Sequence, residues 1–269
     1  MSGWRLTLKQ VPALRLDLRG LTPSKLSVMS AEEIERLPLG YGKALLPLAE
    51  FFSLTPNPDG ALILEGEGLA RCDRIGWQME GGKLVVDGSV GHYAGGGMSA
   101  GELIIKGSAG LLAACEMSGG ALTVEGDVGD FAASTLPGSM DGMRGGTFLV
   151  KGNAGERFGD RMRRGTALVF GNAGDFLASR MVAGTIAVGG TVGAHLAYGM
   201  RRGSVVLFDA PPMAPTFVPA LAEVAVFWQL LSRDLAKHCG PFADLPSRSI
   251  QRHLGDLAAD GRGELILIR

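Results

Sequence analysis

The chain has 269 residues, 26 basic and 27 acidic side chains for a formal net charge of -1, 46% hydrophobic residues and 42 glycines. That balance leaves no global field for nucleic acid or an anionic membrane surface, and no apolar run approaches the roughly 20 residues of a membrane helix. Cys72, Cys115 and Cys239 match no zinc or redox spacing, and Met1-Ser-Gly-Trp-Arg5 opens no signal-peptide pattern, so a reducing cytoplasm is expected.

Residues 1–59 read as an N-terminal cap. Arg5-Leu-Thr-Leu and Leu14-Arg-Leu-Asp-Leu alternate like strands, and Ser30-Ala-Glu-Glu33 has the capping-box spacing of a short helix. Leu37-Pro-Leu-Gly-Tyr-Gly42 is expected to turn the chain, and Pro56-Asn-Pro-Asp-Gly60 to deliver it to a first repeat unit.

Residues 60–209 are repetitive. Heptapeptides of one pattern start at Gly60, Gly82, Gly101, Gly120, Gly146, Gly165, Gly184 and Gly203, spaced 22, 19, 19, 26, 19, 19 and 19 residues apart. The spacing of 26 is a 19 with seven residues added within Ser134–Met140, a loop on the outside of one unit. Within each heptapeptide the second and fourth residues after the glycine are apolar, as in Leu84/Val86, Phe148/Val150 and Ile186/Val188. That is the period of a half-buried strand. A further glycine follows at Gly91, Gly110, Gly129, Gly155, Gly174 and Gly193, where a positive φ or a close approach between units is required.

Met79, Met98, Met117, Met143, Met162, Met181 and Met200 share one phase, three residues before the next starting glycine. With no His or Cys beside them they read as core rather than as a metal row, and no metal site is expected. Nineteen residues with one strand and glycine corners are too few for a strand-helix unit. The expectation is therefore all-β: a right-handed parallel β-helix, a solenoid of glycine-rich 19-residue coils stacked about 4.8 Å apart.

Residues 210–269 read as a C-terminal cap or docking segment. Ala210-Pro-Pro-Met-Ala-Pro breaks the repeat, Leu221, Val224, Trp228, Leu231 and Leu235 have helical spacing, and Gly263–Ile268 ends as a strand.

No catalytic constellation emerges. His92, His195, His238 and His253 fall in different phases or in the tail, and no nucleophile elbow or Walker motif is present. Asp127, Asp130, Asp141, Glu156, Asp160 and Asp175 read as turn residues, and the phase of Ser89, Ser108, Asp127, Asn153, Asn172 and Thr191 as stacked hydrogen-bonded turns. Charge does change along the repeat. If the stretch before each starting glycine is extended, the positions flanking the inward methionine point outward; the late units carry Arg144, Arg161, Arg163, Arg180 and Arg201 there, with Arg164 and Arg202 adjacent. Arginine suits carboxylate and phosphate recognition. The outward strand residues Val85, Ile104, Leu149, Leu168 and Val206 are apolar, so that face or the 210–269 tail is expected to be covered by other subunits.

The glycine-rich coils, the lead-in Ser30-Ala-Glu-Glu-Ile-Glu-Arg-Leu-Pro-Leu39 and the ending His253-Leu-Gly-Asp256…Gly261-Arg-Gly-Glu-Leu-Ile266 together resemble the C subunit of formylmethanofuran dehydrogenase and of its bacterial counterpart, the formyltransferase/hydrolase complex. The repeat alone is also similar to the C-terminal β-helix of the glutamate synthase large subunit. The resemblance implies a non-catalytic member of a cytoplasmic hetero-oligomer in one-carbon metabolism, with formyl transfer and release as formate carried out by sister subunits. It implies no covalently bound cofactor. It also offers the arginines a ligand, the glutamate-rich tail of a methanofuran-type carrier.

Overall fold

The structure is a computed structural model; it describes residues 3–220 and 225–269. Leu221 and Val224 of the expected C-terminal helix lie outside the described residues.

The repeat governs the sheet. Strands Leu62–Glu65, Glu80–Asp87, Ala100–Ile105, Ala121–Val124, Arg144–Val150, Arg164–Val169, Thr185–Val188 and Ser204–Leu207 pair in parallel, each with the strand of the unit before and after. The chain is mostly β-sheet as expected, and 13 strands form one continuous sheet. The parallel run extends past both ends of 60–209. Gly3–Leu8 pairs in parallel with Leu62–Glu65, and Gly263–Ile268 with Ser204–Leu207. Antiparallel strands Phe52–Asn57 and Ile250–Gly255 then lie against these two outer strands. An open parallel edge is thus paired at each end by the chain's own termini.

Strand alternation sends Leu84, Val86, Leu103, Ile105, Leu122, Val124, Ile186 and Val188 inward, all fully buried. All seven in-phase methionines are fully buried beside them, so the core reading of that row holds. Single parallel bridges join Val90, Ala109, Val128, Ala154, Ala173 and Val192 in sequence, a second ladder one residue wide. Beside it, Ser89, Ser108, Asp127, Asn153 and Asn172 each accept the backbone N–H of their counterpart in the next unit, at 2.7–3.0 Å. The stacked-turn reading of that phase is therefore right.

The glycines divide by role. Gly165 has φ +93, and its Cβ would meet Gly146 O at 2.8 Å, so the position needs both the conformation and the space. The Gly174 phase has no positive φ; a Cβ there would lie 2.9 Å from Glu156 N of the preceding unit, so close approach is the requirement.

Three expectations need correction. The stretch before each starting glycine is a tight turn, with Arg157, Gly159 and Arg161, then Phe176, Ala178 and Arg180, in the left-handed region. Alternate left-handed residues turn the chain within five positions, which an extended segment could not do. Leu37–Gly42 is more than a turn: Pro38–Tyr41 and Ala44–Pro47 form a hairpin, and the former pairs with Leu16–Asp17. The third concerns the outward strand face. Leu168 and Val206 are fully buried under the chain's own Trp228, Leu235, Phe242 and Leu245, and Leu149 packs against the same cluster. Part of the cover is helix α3, Ala225–Ala236, whose buried residues Trp228, Ser232 and Leu235 lie on one side, and Phe242 and Leu245 come from the chain just after it; α3 follows α1, Pro23–Leu26, and α2, Ala31–Glu35, of the N-terminal segment. On that face Ile63, Val85, Ile104 and Thr123 remain half-buried, outside this cluster. Helix α2 carries its capping box as read, Ser30 accepting from Glu33 N and Glu33 from Ser30 N.

Candidate functional site

The late repeat units build one basic edge. Arg161, Arg163, Arg180 and Arg201 line a single depression of about 300 Å³ with Met140, Val182, Gly199 and Ala259. Arg144 and Arg163 line its neighbour, of about 380 Å³, with Asp141, Arg164, Val182, Ala183 and Arg202. A third, also about 380 Å³, is lined by Arg201, Arg202, Ala259, Asp260 and Arg262. The depressions share Arg163, Arg201 and Arg202, so all five arginines expected from the sequence sit on one continuous surface. Periodicity is the cause: one substitution pattern, repeated every 19 residues, is brought to successive strands about 4.8 Å apart.

Their electrostatic situations differ. Arg180 donates to both oxygens of Asp160, through Nε at 3.0 Å and Nη2 at 2.7 Å. Arg163 pairs with Asp141, and Arg161 Nη1 lies 2.9 Å from Met140 Sδ. Among the described residues, Arg144, Arg164, Arg201, Arg202 and Arg262 have no acidic partner within 4.0 Å. Met140 and Asp141 belong to the seven-residue insertion and its border, so the loop leans onto the edge.

Arg262 is the arginine the repeat pattern missed. It lies outside the 19-residue series, and its signal was the Gly261-Arg262-Gly263 triplet, which matches Arg202-Gly203 one strand away. The Arg262 N–H donates to Arg201 O at 2.6 Å, and Glu264 pairs with Ser204. The tail is locked there by Asp256, which accepts from Gly199 N at 3.0 Å and Ala258 N at 3.0 Å. Burial alone would raise the Asp256 carboxyl, but hydrogen bonds from Thr216, Gly199 and Ala258 hold it below the ordinary carboxylate range.

Burial pushes the thiols of Cys72 and Cys115 up to about 12, which leaves no nucleophilic thiolate. His92 Nδ1 accepts the Leu111 N–H at 3.0 Å, while Asp73 accepts the N–H of His92. His195 stacks on Phe176 at 4.6 Å, and His253 is buried. The structure brings no two of the four histidines into ring contact, and among the described residues no three His, Cys, Asp or Glu side chains group as metal ligands.

The fold thus defines a parallel-stranded repeat protein with one arginine-lined edge. No family model matches the sequence. The fold is similar, at TM-score 0.90 and 40% identity over 98% of each chain, to a chain in the crystal structure of the formyltransferase/hydrolase complex FhcABCD from Methylorubrum extorquens in complex with methylofuran. The chain is 43% identical over 77 residues, 29% of each sequence, to the C subunit of that complex from the same organism. It is 30% identical over 102 residues to the C subunit of a tungsten-containing formylmethanofuran dehydrogenase of Methanothermobacter marburgensis, 36% of this chain and 37% of that one. The matched segments thus span about a third of these two curated relatives. The chain belongs to the family of C subunits of formyltransferase/hydrolase complexes and formylmethanofuran dehydrogenases.

Proposed function

We propose that this chain is the non-catalytic C subunit of a cytoplasmic formyltransferase/hydrolase complex, with formyl transfer and hydrolysis to formate carried out on sister subunits. The observation that carries this is the match to a chain of the Methylorubrum extorquens complex at 40% identity over 98% of both chains. The sequence matches lean the same way, since identity is 43% to the bacterial C subunit and 30–35% to the C subunits of archaeal tungsten and molybdenum dehydrogenases.

In this reading the strand ladder and the bridge ladder are two walls of a right-handed parallel β-helix over residues 60–209. Residues 1–59 and 210–269 cap it, each lending one further parallel strand. The half-buried stripe Ile63, Val85 and Ile104 faces a sister subunit, since the chain's own helix covers only the later part of that row. The edge of Arg144, Arg161, Arg163, Arg180 and Arg201 anchors the glutamate-rich tail of a methanofuran-type carrier. A tethered carrier visits two active sites at high effective concentration.

Co-expression with sister subunits tests the assignment. The chain should co-purify with them at fixed ratio and show no formyl transfer or formate release alone. Recovery as a free monomer from such co-expression would overturn it.

A further inference from the structure

The main sheet is closed at both ends by the chain's own strands, but the one-residue bridge ladder is closed at only one. At its start Leu16–Asp17 pairs in parallel with Cys72–Asp73, and the Leu18 N–H donates to Asp73 O at 3.0 Å. At its finish Val192 bridges back to Ala173 and, among the described residues, to nothing beyond. The backbone hydrogen bonds break at the same place. Val128, Ala154 and Ala173 each donate an N–H to the next unit, to the carbonyls of Asn153, Asn172 and Thr191, and each accepts from its glycine, Gly155, Gly174 and Gly193. Phe131, Arg157 and Phe176 donate likewise to the carbonyls of Glu156, Asp175 and Ala194. Among the described residues, the N–H and C=O of Val192 and the N–H of His195 have no such partner. Val192 is only half-buried, whereas every earlier member of the ladder is buried.

A column of side chains ends there too. Arg157 lies 5.9 Å from the Phe131 ring centroid and 4.4 Å from that of Phe176, and Phe176 stacks on His195 at 4.6 Å with 20° between the planes. All four occupy the left-handed position of successive turns. The exposed His195 ring has no second ring or guanidinium partner among the described residues. Beyond the last repeat strand, Met213 and Phe217 pack on the core and leave this edge open.

We propose that residues 191–195 form a docking edge that takes one extended segment of a sister subunit as a further parallel rung. This rests on the reading of the chain as one subunit of a hetero-oligomer. The pattern of the earlier units defines the segment as five residues. The carbonyl of its first residue accepts from the Val192 N–H, its third residue donates to the Val192 C=O, and the carbonyl of its fourth accepts from the His195 N–H. Its fifth residue lays a planar group, aromatic or guanidinium, on the His195 ring. The third residue is glycine, since in this phase a Cβ on Gly174 would stand 2.9 Å from Glu156 N and one on Gly193 2.7 Å from Asp175 N. A second copy of this chain does not fit, because the matching edge it would present, Cys72–Asp73, is already paired with its own Leu16–Asp17.

Amide hydrogen exchange on the isolated chain and on the complex co-purified with sister subunits tests this. The Val192 and His195 amides should exchange freely in the isolated chain and slow about tenfold or more in the complex, while those of Ala173 and Phe176 stay protected in both. Val192→Pro removes the free N–H and no bond that the isolated chain makes. It should leave the melt of the isolated chain unchanged and weaken association with the sister subunits about tenfold or more. His195→Ala should weaken association about threefold or more by removing the stacking surface, and it covers the case in which the proline disturbs the fold. Equal exchange of the two amides in chain and complex overturns the docking edge and leaves the C-subunit reading standing. Protection that grows with the concentration of the isolated chain assigns the edge to a second copy and overturns it as well. Failure to co-purify with the sister subunits overturns both.

Discussion

Arg180 reaches across one repeat interval to hold Asp160 with two nitrogens, at 3.0 and 2.7 Å, and Asp160 is only 3% exposed. The pair therefore ties two successive left-handed turns together beneath the basic edge. Removing the arginine leaves a carboxylate buried without its cation; removing the carboxylate frees a cation that can reach water.

Arg180→Met should accordingly cost about 2–3 kcal/mol of stability, and Asp160→Asn less, because Asn keeps an acceptor for one guanidinium nitrogen. Urea unfolding midpoints of the two variants check the order. Equal midpoints with the wild type would mean that the pair contributes nothing.

His92 fills a position that is Asp73 one unit earlier, and Asp130 and Asp175 in later units, where the side chain accepts an N–H from the next unit. Burial, with a smaller contribution from the Arg15 charge and against the pull of Asp73, lowers the His92 pKa below the ordinary value. A neutral ring is also what acceptance from the Leu111 N–H requires. Its stabilisation is therefore present above the unfolded value of about 6.5 and is lost as pH falls through the lower folded value. His92→Asp should keep the bond and remove that dependence. Midpoints at pH 7.5 and 5.5 should converge in the variant relative to the wild type; an unchanged difference would remove His92 as its source.

Gly165→Ala combines a positive φ with a contact at 2.8 Å to Gly146 O and should cost at least about 2 kcal/mol. Gly81→Ala, with nothing within 4 Å of the new carbon and no positive φ, should change stability by less than about 0.5 kcal/mol. Thermal melts of the two variants side by side test whether unit-to-unit approach sets the glycine pattern.

The repeat made the sheet, the methionine core and the arginine edge legible, because each depends on a phase that recurs every 19 residues. The covering of Leu168 and Val206 by Trp228 and Leu235 was not legible. It depends on how a single non-repeating segment folds back, and only the helical spacing of that segment shows in the sequence. Arg262 was obscure for the same reason: its partner strand lies some 60 residues earlier, Glu264 against Ser204. The left-handed turns were hidden because Arg161, Phe176 and His195 adopt a conformation for which side chains of this kind give no composition signal.

Trp228→Ala tests that cover. Trp228 packs in the cluster over the outer strand face and donates its indole N–H to Arg248 O at 3.0 Å. The variant should lose about 3 kcal/mol and expose Leu168 and Val206, giving increased binding of a hydrophobic dye. An unaltered melt and no dye binding would show that the helix is dispensable to the fold.

The most direct measurement compares formyl transfer and formate release by the sister subunits co-expressed with and without this chain, alongside the isolated chain. Activity should require assembly with this chain, and the chain alone should have none. Full activity of a complex that assembles without it, or turnover by the isolated chain, would contradict a scaffolding role.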